Sequence, residues 1–403
     1  MSGSAEKSQA AGLPLAGVRI IAVEQYGAGP FGTQHLADLG AEIIKIENRA
    51  DGGDVGRHVG PYYFDENDSH FYQAFNRNKR SMTLNLKSEQ GMEILHRLVK
   101  NAAAVFNNLR GDLPEKLRLT YEDLKHLNPQ IVCGHLSAYG RQGSRKSWPG
   151  YDYLMQAEAG YLSLTGEPQG PPSRMGLSII DLMTGTTAAM GLLAGILGAR
   201  ATGIGRDIDV SLYDVAIHNL AYVGTWYLNE GFSLKREPFS SHPSLTPSQL
   251  YRTADGWIFL MCNKEKFWGV LCRAIEQPEW IAADRYKDFK SRLANRDQLK
   301  QELESVLTRH TTQEWMTRFA GKVPAAPVYD VAQALDNDFI HEQERILELA
   351  HPSAKVRAIA SPVRAGPHPV QAAPAMGQDN QALLTELGYT DAQIQSFLES
   401  AVI

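Results

Sequence analysis

Short apolar runs that alternate with helical segments constrain the fold of this 403-residue chain more than any other feature. Residues 18–24 (VRIIAVE) and 41–47 (AEIIKIE) are typical of buried strands, and residues 31–39 between them have helical spacing. The alternation continues, with further strands predicted at 81–86, 103–109 and 131–139, and helices at 89–100 and 121–127. Because strands connected by helices pair in parallel, the sequence predicts an α/β fold with a doubly wound, Rossmann-like sheet.

The composition changes after Gly231, which indicates a second domain. Residues 237–247 (EPFSSHPSLTP) have the composition of a loop, and residues 324–327 (PAAP) that of a linker leading back. Between them the sequence predicts a strand at 257–262 and amphipathic helices to about residue 320. We therefore predict a discontinuous large domain, residues 1–225 and 330–403, with a smaller α/β domain inserted at residues 226–329.

Composition argues against several classes of protein. The formal net charge is −5 and there is no basic block, so nucleic acid is not an expected partner. The three cysteines, Cys133, Cys262 and Cys272, have no CxxC spacing, which predicts neither a zinc site nor a disulfide framework. No apolar signal-peptide run precedes residue 12, and the most apolar stretch, residues 186–199, is shorter than a bilayer span. A cytoplasmic protein that does not contact membranes is therefore expected.

A glycine motif follows the first predicted strand and allows more than one interpretation. Gly27, Gly29 and Gly32 form G-x-G-x-x-G, and Glu47 ends the second strand 20 residues beyond Gly27. This spacing matches the dinucleotide fingerprint, in which glycines admit a pyrophosphate and an acid binds a ribose. A phosphate-bearing ligand and a tight turn that needs small residues both remain open. NAD itself is disfavoured, because Pro30 removes one amide donor from the start of the helix.

Several motifs occur in the order in which a known family carries them, and together they cover nearly the whole chain. They lie at residues 15–47, 75–87 (FNRNKRSMTLNLK), 107–117 (NNLRGDLPEKL), 127–140, 149–160 (PGYDYLMQAEAG), 176–185 (GLSIIDLMTG) and 203–214. With these motifs the chain resembles the class III CoA-transferases, which include formyl-CoA, carnitine and dicarboxylate transferases. The resemblance implies a coenzyme A thioester as substrate, with no metal and no NAD. It also implies an interlocked homodimer in which each chain threads through its partner.

The resemblance also implies roles for individual residues. Asp181, in IIDLMTG, matches the family's nucleophile, although a carboxylate at the start of a helix is also what ordinary capping would place there. By motif match, the expected CoA contacts are Gly27, Ala28, Leu84, Lys87, Asn108, Leu109, Arg110, Lys116, Tyr139 and Gly140. For the three cations among them, a solvated surface charge is the alternative interpretation. Residues 240–247 lie where the family places a loop that covers the active site.

Three hypotheses for function follow from the resemblance. The leading one is transfer of CoA from an acyl-CoA donor, with succinyl-CoA expected, to a free carboxylic acid through aspartyl-anhydride and aspartyl-CoA thioester intermediates. The second is an α-methylacyl-CoA racemase-like enzyme. Racemase relatives carry a histidine where Tyr151 stands, and a phenol is a poor base at neutral pH. Gln156 follows the transferase pattern Y-D-x-x-x-Q, and its amide is expected to donate to an oxyanion or to orient a carboxylate. The third hypothesis is a non-catalytic CoA-binding protein.

Overall fold

The computed structural model describes residues 12–366 and 369–403. Its strands are β1 Arg19–Val23, β2 Glu42–Glu47, β3 Tyr63–Asp65, β4 Asp68–Ser69, β5 Lys79–Thr83, β6 Ala104–Asn107, β7 Val132–Ser137, β8 Arg206–Ser211, β9 Ser248–Arg252, β10 Trp257–Met261, β11 Ala325–Pro327, β12 Ile346–Ala350 and β13 Lys355–Ile359.

The helices of the described residues vary widely in length. They are α1 Ala28–Asp38, α2 His70–Asn76, α3 Glu89–Val99, α4 Leu113–Lys116, α5 Tyr121–Leu124, α6 Asp152–Glu158, α7 Tyr161–Leu164, α8 Ile179–Thr202, α9 Leu212–His218, α10 Ala221–Glu230, α11 Glu265–Ala274, α12 Phe289–Ala294, α13 Arg296–Leu307, α14 Thr312–Phe319, α15 Val331–Leu335, α16 Asp338–Glu342, α17 Asn380–Glu386 and α18 Asp391–Glu399. Short 3-10 turns lie at Arg49–Asp51, Val55–His58, Pro238–Ser240 and Pro278–Ile281.

Six parallel strands form the central sheet, in the order β5-β2-β1-β6-β7-β8. Ile20 of β1 pairs with Ile43 on one side and with Ala104 on the other. The order of strands reverses at β1, so the loops that leave β1 and β6 diverge at the carboxyl edge of the sheet. The predicted parallel α/β sheet is confirmed. β8 was not predicted, because its sequence, RDIDVS, alternates charged and apolar residues instead of forming an apolar run.

The chain divides into two compact units. The larger unit comprises Met175–Glu230, Glu344–Ile403 and the described residues up to Gly160, and the smaller unit comprises Tyr161–Arg174 and Gly231–Gln343. The smaller unit contains the antiparallel sheet β11-β10-β9 and has its own core, which includes Trp268, Leu303 and Trp315. These limits differ from the sequence-derived 226–329. The predicted division into independent domains stays a prediction.

Helix α8 extends beyond the apolar stretch at residues 186–199 and spans 24 residues. An 18-residue window with mean hydropathy 1.5 makes it long and apolar enough to cross a membrane by length and composition alone. Half of that window is buried inside the protein, as in the core helix of a soluble fold, so the hydropathy does not assign membrane contact.

The glycines of the G-x-G-x-x-G motif allow elements to approach closely. A Cβ on Gly32 would lie 2.5 Å from the carbonyl oxygen of Gly185, and a Cβ on Gly185 would lie 2.4 Å from that of Ala28. Helices α1 and α8 therefore meet backbone to backbone. A Cβ on Gly29 would lie 2.8 Å from the Asn108 side chain. These contacts support the interpretation that the motif supplies small residues for packing.

We expect Gly32→Ala to lower stability by about 1–3 kcal/mol, because the added methyl group meets a rigid backbone carbonyl. Gly198→Ala in α8 is the matched control, since nothing lies within 4 Å of a Cβ at that position. The control should raise stability by roughly 0.5–1 kcal/mol through helix propensity. Chemical unfolding of the two variants measures both effects. Equal changes in the free energy of unfolding would contradict the close backbone contact between α1 and α8.

Candidate active site

The residues expected at the site gather at one edge of the central sheet. Gly27 follows β1, Lys87 follows β5, Asn108 follows β6 and Tyr139 follows β7. In open α/β sheets, ligands bind in the crevice beyond the carboxyl ends of the strands, where the strand order reverses. The topology therefore brings the loops that carry the predicted CoA contacts to the edge where a ligand is expected.

Asp181 is the third residue of α8, and only 6% of its surface is exposed. Its carboxylate packs against Gly27, where a Cβ would lie 2.9 Å from Asp181 Oδ2. Among the residues that the structure describes, none donates a hydrogen bond to either carboxylate oxygen. Burial raises the pKa of Asp181 to about 7, and repulsion from the Asp152 carboxylate adds to the shift. The site thus holds a buried carboxyl group that is readily protonated near neutral pH.

Asp152 links the start of α8 to α6. Its Oδ2 accepts the backbone N–H of Asp181 at 2.9 Å, so it caps α8 from a distant part of the chain. Its Oδ1 accepts from Gln156 Nε2 at 2.6 Å. The sequence analysis did not single out Asp152. Its i, i+4 spacing to Gln156 within YDYLMQ was the available signal.

Gln156 orients a carboxylate and has no donor left for an oxyanion. Its Nε2 donates to Asp152 and, at 3.1 Å, to the carbonyl oxygen of Leu177. Its Oε1 accepts the N–H of Met175 at 2.9 Å. Of the two roles expected for Gln156, the structure therefore favours orientation. Tyr151 precedes α6 with an exposed side chain, and its ring lies edge-on to Tyr26 with the ring centroids 6.2 Å apart.

A buried ionic network holds the turn that precedes Gly27. Tyr26 has a positive φ of 69°, and its N–H donates to Asp54 Oδ1 at 2.8 Å. Asp54 Oδ2 pairs with Lys45 Nζ at 2.7 Å, and Lys45 also donates to the carbonyl oxygen of Glu24 at 2.9 Å. Both partners in the ion pair are fully buried. The network fixes the backbone against which the Asp181 carboxylate rests.

A cavity of about 190 Å³ opens at the carboxyl ends of β1, β2, β5 and β6. Of the predicted CoA contacts, Leu84, Lys87 and Leu109 line it. Leu84 is buried and Lys87 is exposed at the surface. Asn48 lines the same cavity. The lining combines apolar side chains with one cationic side chain, Lys87, and with four acidic ones, Glu24, Glu47, Asp51 and Asp54.

The remaining predicted contacts engage other groups in the structure. The Asn108 side chain forms two hydrogen bonds with the backbone of Gln25. Its Oδ1 accepts the Gln25 N–H at 2.9 Å, and its Nδ2 donates to the Gln25 carbonyl oxygen at 2.7 Å. Arg110 and Lys116 both pair with Asp112, at 2.5 and 2.6 Å, and lower the pKa of its carboxyl group. The Tyr139 hydroxyl donates to Glu158 at 2.8 Å. Gly140 has a φ of 87°, as glycine readily does, and Ala28 is buried at the start of α1.

A family model described as CoA-transferase family III matches residues 15–380. The chain belongs to CoA-transferase family III. It is 32% identical over 383 residues to the succinyl-CoA:mesaconate CoA-transferase of Haloarcula marismortui, covering 92% of this chain and 96% of the relative. It is 30% identical over 387 residues to the succinate–glutarate CoA-transferase of Agrobacterium fabrum, covering 93% and 96%. The crystal structure of a CaiB/BaiF family protein from Brucella suis matches with a TM-score of 0.82 and 29% identity, covering 93% of this chain and 100% of that one.

The acid of the dinucleotide fingerprint has a structural role in this family III enzyme. Glu47 is buried and forms two bonds of 2.8 Å with the Arg57 guanidinium, and it accepts from Ser81 Oγ at 2.6 Å. These partners outweigh the effect of burial and lower the pKa of Glu47 to about 2. Both oxygens of this carboxylate already accept hydrogen bonds from protein groups, so Glu47 is poorly placed to bind a ribose. This further disfavours NAD. Within residues 12–366 and 369–403, no three His, Cys, Asp or Glu side chains are grouped as metal ligands.

Proposed function

We propose that this class III CoA-transferase moves CoA from succinyl-CoA to a free dicarboxylic acid, with Asp181 as the covalent nucleophile. The observation that carries the proposal is the buried Asp181 carboxylate, which has no hydrogen-bond donor among the described residues. Burying an unpaired carboxylate is costly, and such groups concentrate where chemistry uses them. The names of the two relatives above, which include succinate or its CoA ester with mesaconate or glutarate, support the substrate class.

Four exchanges complete the reaction. The Asp181 carboxylate attacks the thioester carbonyl, which gives a mixed anhydride and CoA thiolate. The thiolate attacks the Asp181 carbonyl, which gives an aspartyl-CoA thioester and releases succinate. The acceptor carboxylate attacks that thioester, which forms a second mixed anhydride and again frees the thiolate. Attack of the thiolate on the acceptor carbonyl yields the new acyl-CoA and restores Asp181.

The surroundings of Asp181 suit these exchanges. Few water molecules can reach a carboxylate with 6% of its surface exposed, and an anhydride formed there is protected from hydrolysis. Asp152 and Gln156 fix the start of α8, so the nucleophile is held in place without being neutralised by a partner. Gly27 lets the Asp181 carboxylate lie against the backbone, since a Cβ there would lie 2.9 Å from Asp181 Oδ2.

We propose that CoA lies along the carboxyl edge of the sheet. The 190 Å³ cavity would take the adenine between Leu84 and Leu109, with Lys87 near the phosphates. Gly27 and Ala28 would contact the end that bears the thioester. Asn108 would contribute through the turn that it fixes, and Arg110, Lys116, Tyr139 and Gly140 would contact outlying parts of the ligand.

A homodimer and a cytoplasmic location complete the proposal. Helices α8 and α10 expose large apolar side chains, including Met190, Leu197, Tyr222 and Leu228, and exposed apolar surface of this kind is typical of protein interfaces. Exposed apolar side chains of this kind support the interlocked homodimer that the resemblance implies. The three cysteines are separate, buried thiols, which fits a reducing compartment.

The raised pKa of Asp181 predicts the pH dependence of turnover. Only the ionised carboxylate is a nucleophile, and the pKa of this group is about 7, so kcat/KM should rise with pH through about 7 and then level off. Initial rates at constant ionic strength between about pH 5.5 and 8.5 test this expectation. A carboxylate with an ordinary pKa near 4 would give a flat profile over the same range.

Isotope exchange separates the transferase from the racemase. A racemase exchanges the proton beside the thioester carbonyl, whereas a transferase moves CoA to an added acid. We expect CoA transfer from succinyl-CoA to glutarate, detected by mass spectrometry, without deuterium uptake by 2-methylacyl-CoA in heavy water. Tyr151 supports this outcome, because a phenol is a poor base at neutral pH. Rapid α-deuteration without transfer would establish the racemase instead.

A further inference from the structure

A cavity of about 580 Å³ lies within the smaller unit. The segment from Glu237 to Pro243 forms one wall, and the start of α13 forms another. Gln249 of β9 also lines it. The volume falls within the range of roughly 300–1,000 Å³ that is typical of small-molecule sites.

Two buried polar side chains face this cavity with unused donors. Gln249 is 2% exposed, and in the part of the chain that the structure describes its side-chain amide has no hydrogen-bond partner. The amide atoms face the cavity, and a ligand that pairs them would gain a hydrogen bond whose net contribution is about 0.5–1.5 kcal/mol. Ser241 is also buried, and its Oγ accepts from Arg296 at 3.3 Å, which leaves the hydroxyl hydrogen available to donate.

The start of α13 adds a positive potential to the same space. The first amide groups of any helix lack intrahelical acceptors. In this 12-residue helix the side chain of the preceding Asn295 does not supply one. The positive end of a helix dipole favours an anion. Arg296 donates to the carbonyl oxygen of His242 at 2.6 Å and pairs with Glu237 at 3.2 Å, which holds the two walls together.

The two cations that line the cavity, Arg296 and Lys300, are both paired with carboxylates, and Lys300 Nζ also lies 3.9 Å from the centre of the Phe239 ring. Glu237 offsets Arg296, and Lys300 pairs with Glu304 at 2.6 Å. Asp297 is exposed, so its carboxylate is screened by solvent. Pro238 and Phe239 add apolar surface to the wall. The buried groups therefore offer donors for an oxyanion and apolar contact for a short carbon chain.

We propose that this cavity in the smaller unit binds a small organic carboxylate. The carboxylate of the ligand accepts from the Gln249 amide, the Ser241 hydroxyl and the first amides of α13. Its carbon chain packs against Phe239. The proposal concerns binding in the smaller unit and does not depend on the transfer mechanism.

A thiol placed at the rim reports occupancy of the cavity. The three native cysteines are buried, and burial raises the pKa of Cys262 and of Cys272 to about 12, so they react slowly. Gln298→Cys introduces an exposed thiol on the lining, and Gln313→Cys introduces one on α14, which does not line the cavity. Iodoacetamide, which is uncharged, modifies both in the presence of glutarate, of inorganic phosphate, or of neither.

We expect about 10 mM glutarate to slow modification of the Gln298→Cys thiol at least about tenfold and to leave Gln313→Cys unaffected, as a Kd near 1 mM requires. Adding Gln249→Leu to Gln298→Cys should remove the protection, whereas Gln277→Leu should not. Absence of protection by glutarate, protection that survives Gln249→Leu, or equal protection by phosphate would each overturn the proposal. Because the readout is alkylation, none of these outcomes bears on transfer at Asp181.

Discussion

Asp181→Asn abolishes CoA transfer, with an expected loss in kcat of roughly 10⁴-fold or more, because an amide cannot form the anhydride that every later step requires. The substitution keeps the size of the side chain and adds no atom near Gly27. CoA binding should persist, since the 190 Å³ cavity is lined by other residues. Steady-state transfer from succinyl-CoA to glutarate, together with equilibrium binding of CoA, measures the two effects separately.

Asp391→Asn provides the matched control. Asp391 is also an aspartate in the first turn of a helix, but it is exposed and accepts from Gln381 at 2.7 Å. Its substitution should leave transfer unchanged. If Asp181 merely capped α8, the two variants would behave alike, and substantial turnover by Asp181→Asn and Asp181→Ala would show that the nucleophile lies elsewhere.

The same Asp181→Asn substitution should stabilise the folded protein at alkaline pH. Folding raises the pKa of Asp181 from 3.8 to about 7, so the stability that this group contributes is complete below pH 3.8 and is lost as the pH rises through about 7. A shift of this size corresponds to at most about 4 kcal/mol. The asparagine stays neutral, so the variant avoids that loss.

Unfolding by urea at two pH values measures this difference. At about pH 8 the unfolding midpoint of Asp181→Asn should exceed that of the wild type, and near pH 4.5 the two should approach each other. Asp391→Asn should show neither effect. A variant that is equally stable or less stable at both pH values would mean that the Asp181 carboxyl is well solvated or paired, contrary to the geometry.

The central sheet could be predicted because its strands are buried on both faces. Runs such as IIAV in β1 and EIIKIE in β2 carry the apolar signal of buried parallel strands. β8 was not predicted, because it is an edge strand and its sequence, RDIDVS, carries charged residues instead of an apolar run. The smaller compact unit includes Tyr161–Arg174, which joins it through contacts that are distant in sequence and leave no local pattern.

The site was less accessible to sequence reasoning than the fold. Asp181 was identified through the family motif, whereas its burial and its closeness to Asp152 depend on contacts between separate helices. The glycine motif has the same spacing whether its glycines admit a phosphate or a helix, and the partner of Gly32 lies far along the chain at Gly185. Charge alone could not show that Arg110 pairs with Asp112.

Trapping with hydroxylamine tests covalent catalysis at Asp181 most directly. Hydroxylamine attacks the activated Asp181 carbonyl, forming a hydroxamate and releasing succinate from the anhydride or CoA thiol from the thioester. Tryptic cleavage yields the peptide from Met175 to Arg200, in which Asp181 is the only acidic side chain, so mass spectrometry locates the adduct without ambiguity. Wild-type enzyme incubated with succinyl-CoA should carry the hydroxamate on this peptide, and enzyme without substrate should not. An unmodified peptide from enzyme that is turning over, with the hydroxamate absent or on another residue, would contradict the assignment of Asp181 as the nucleophile.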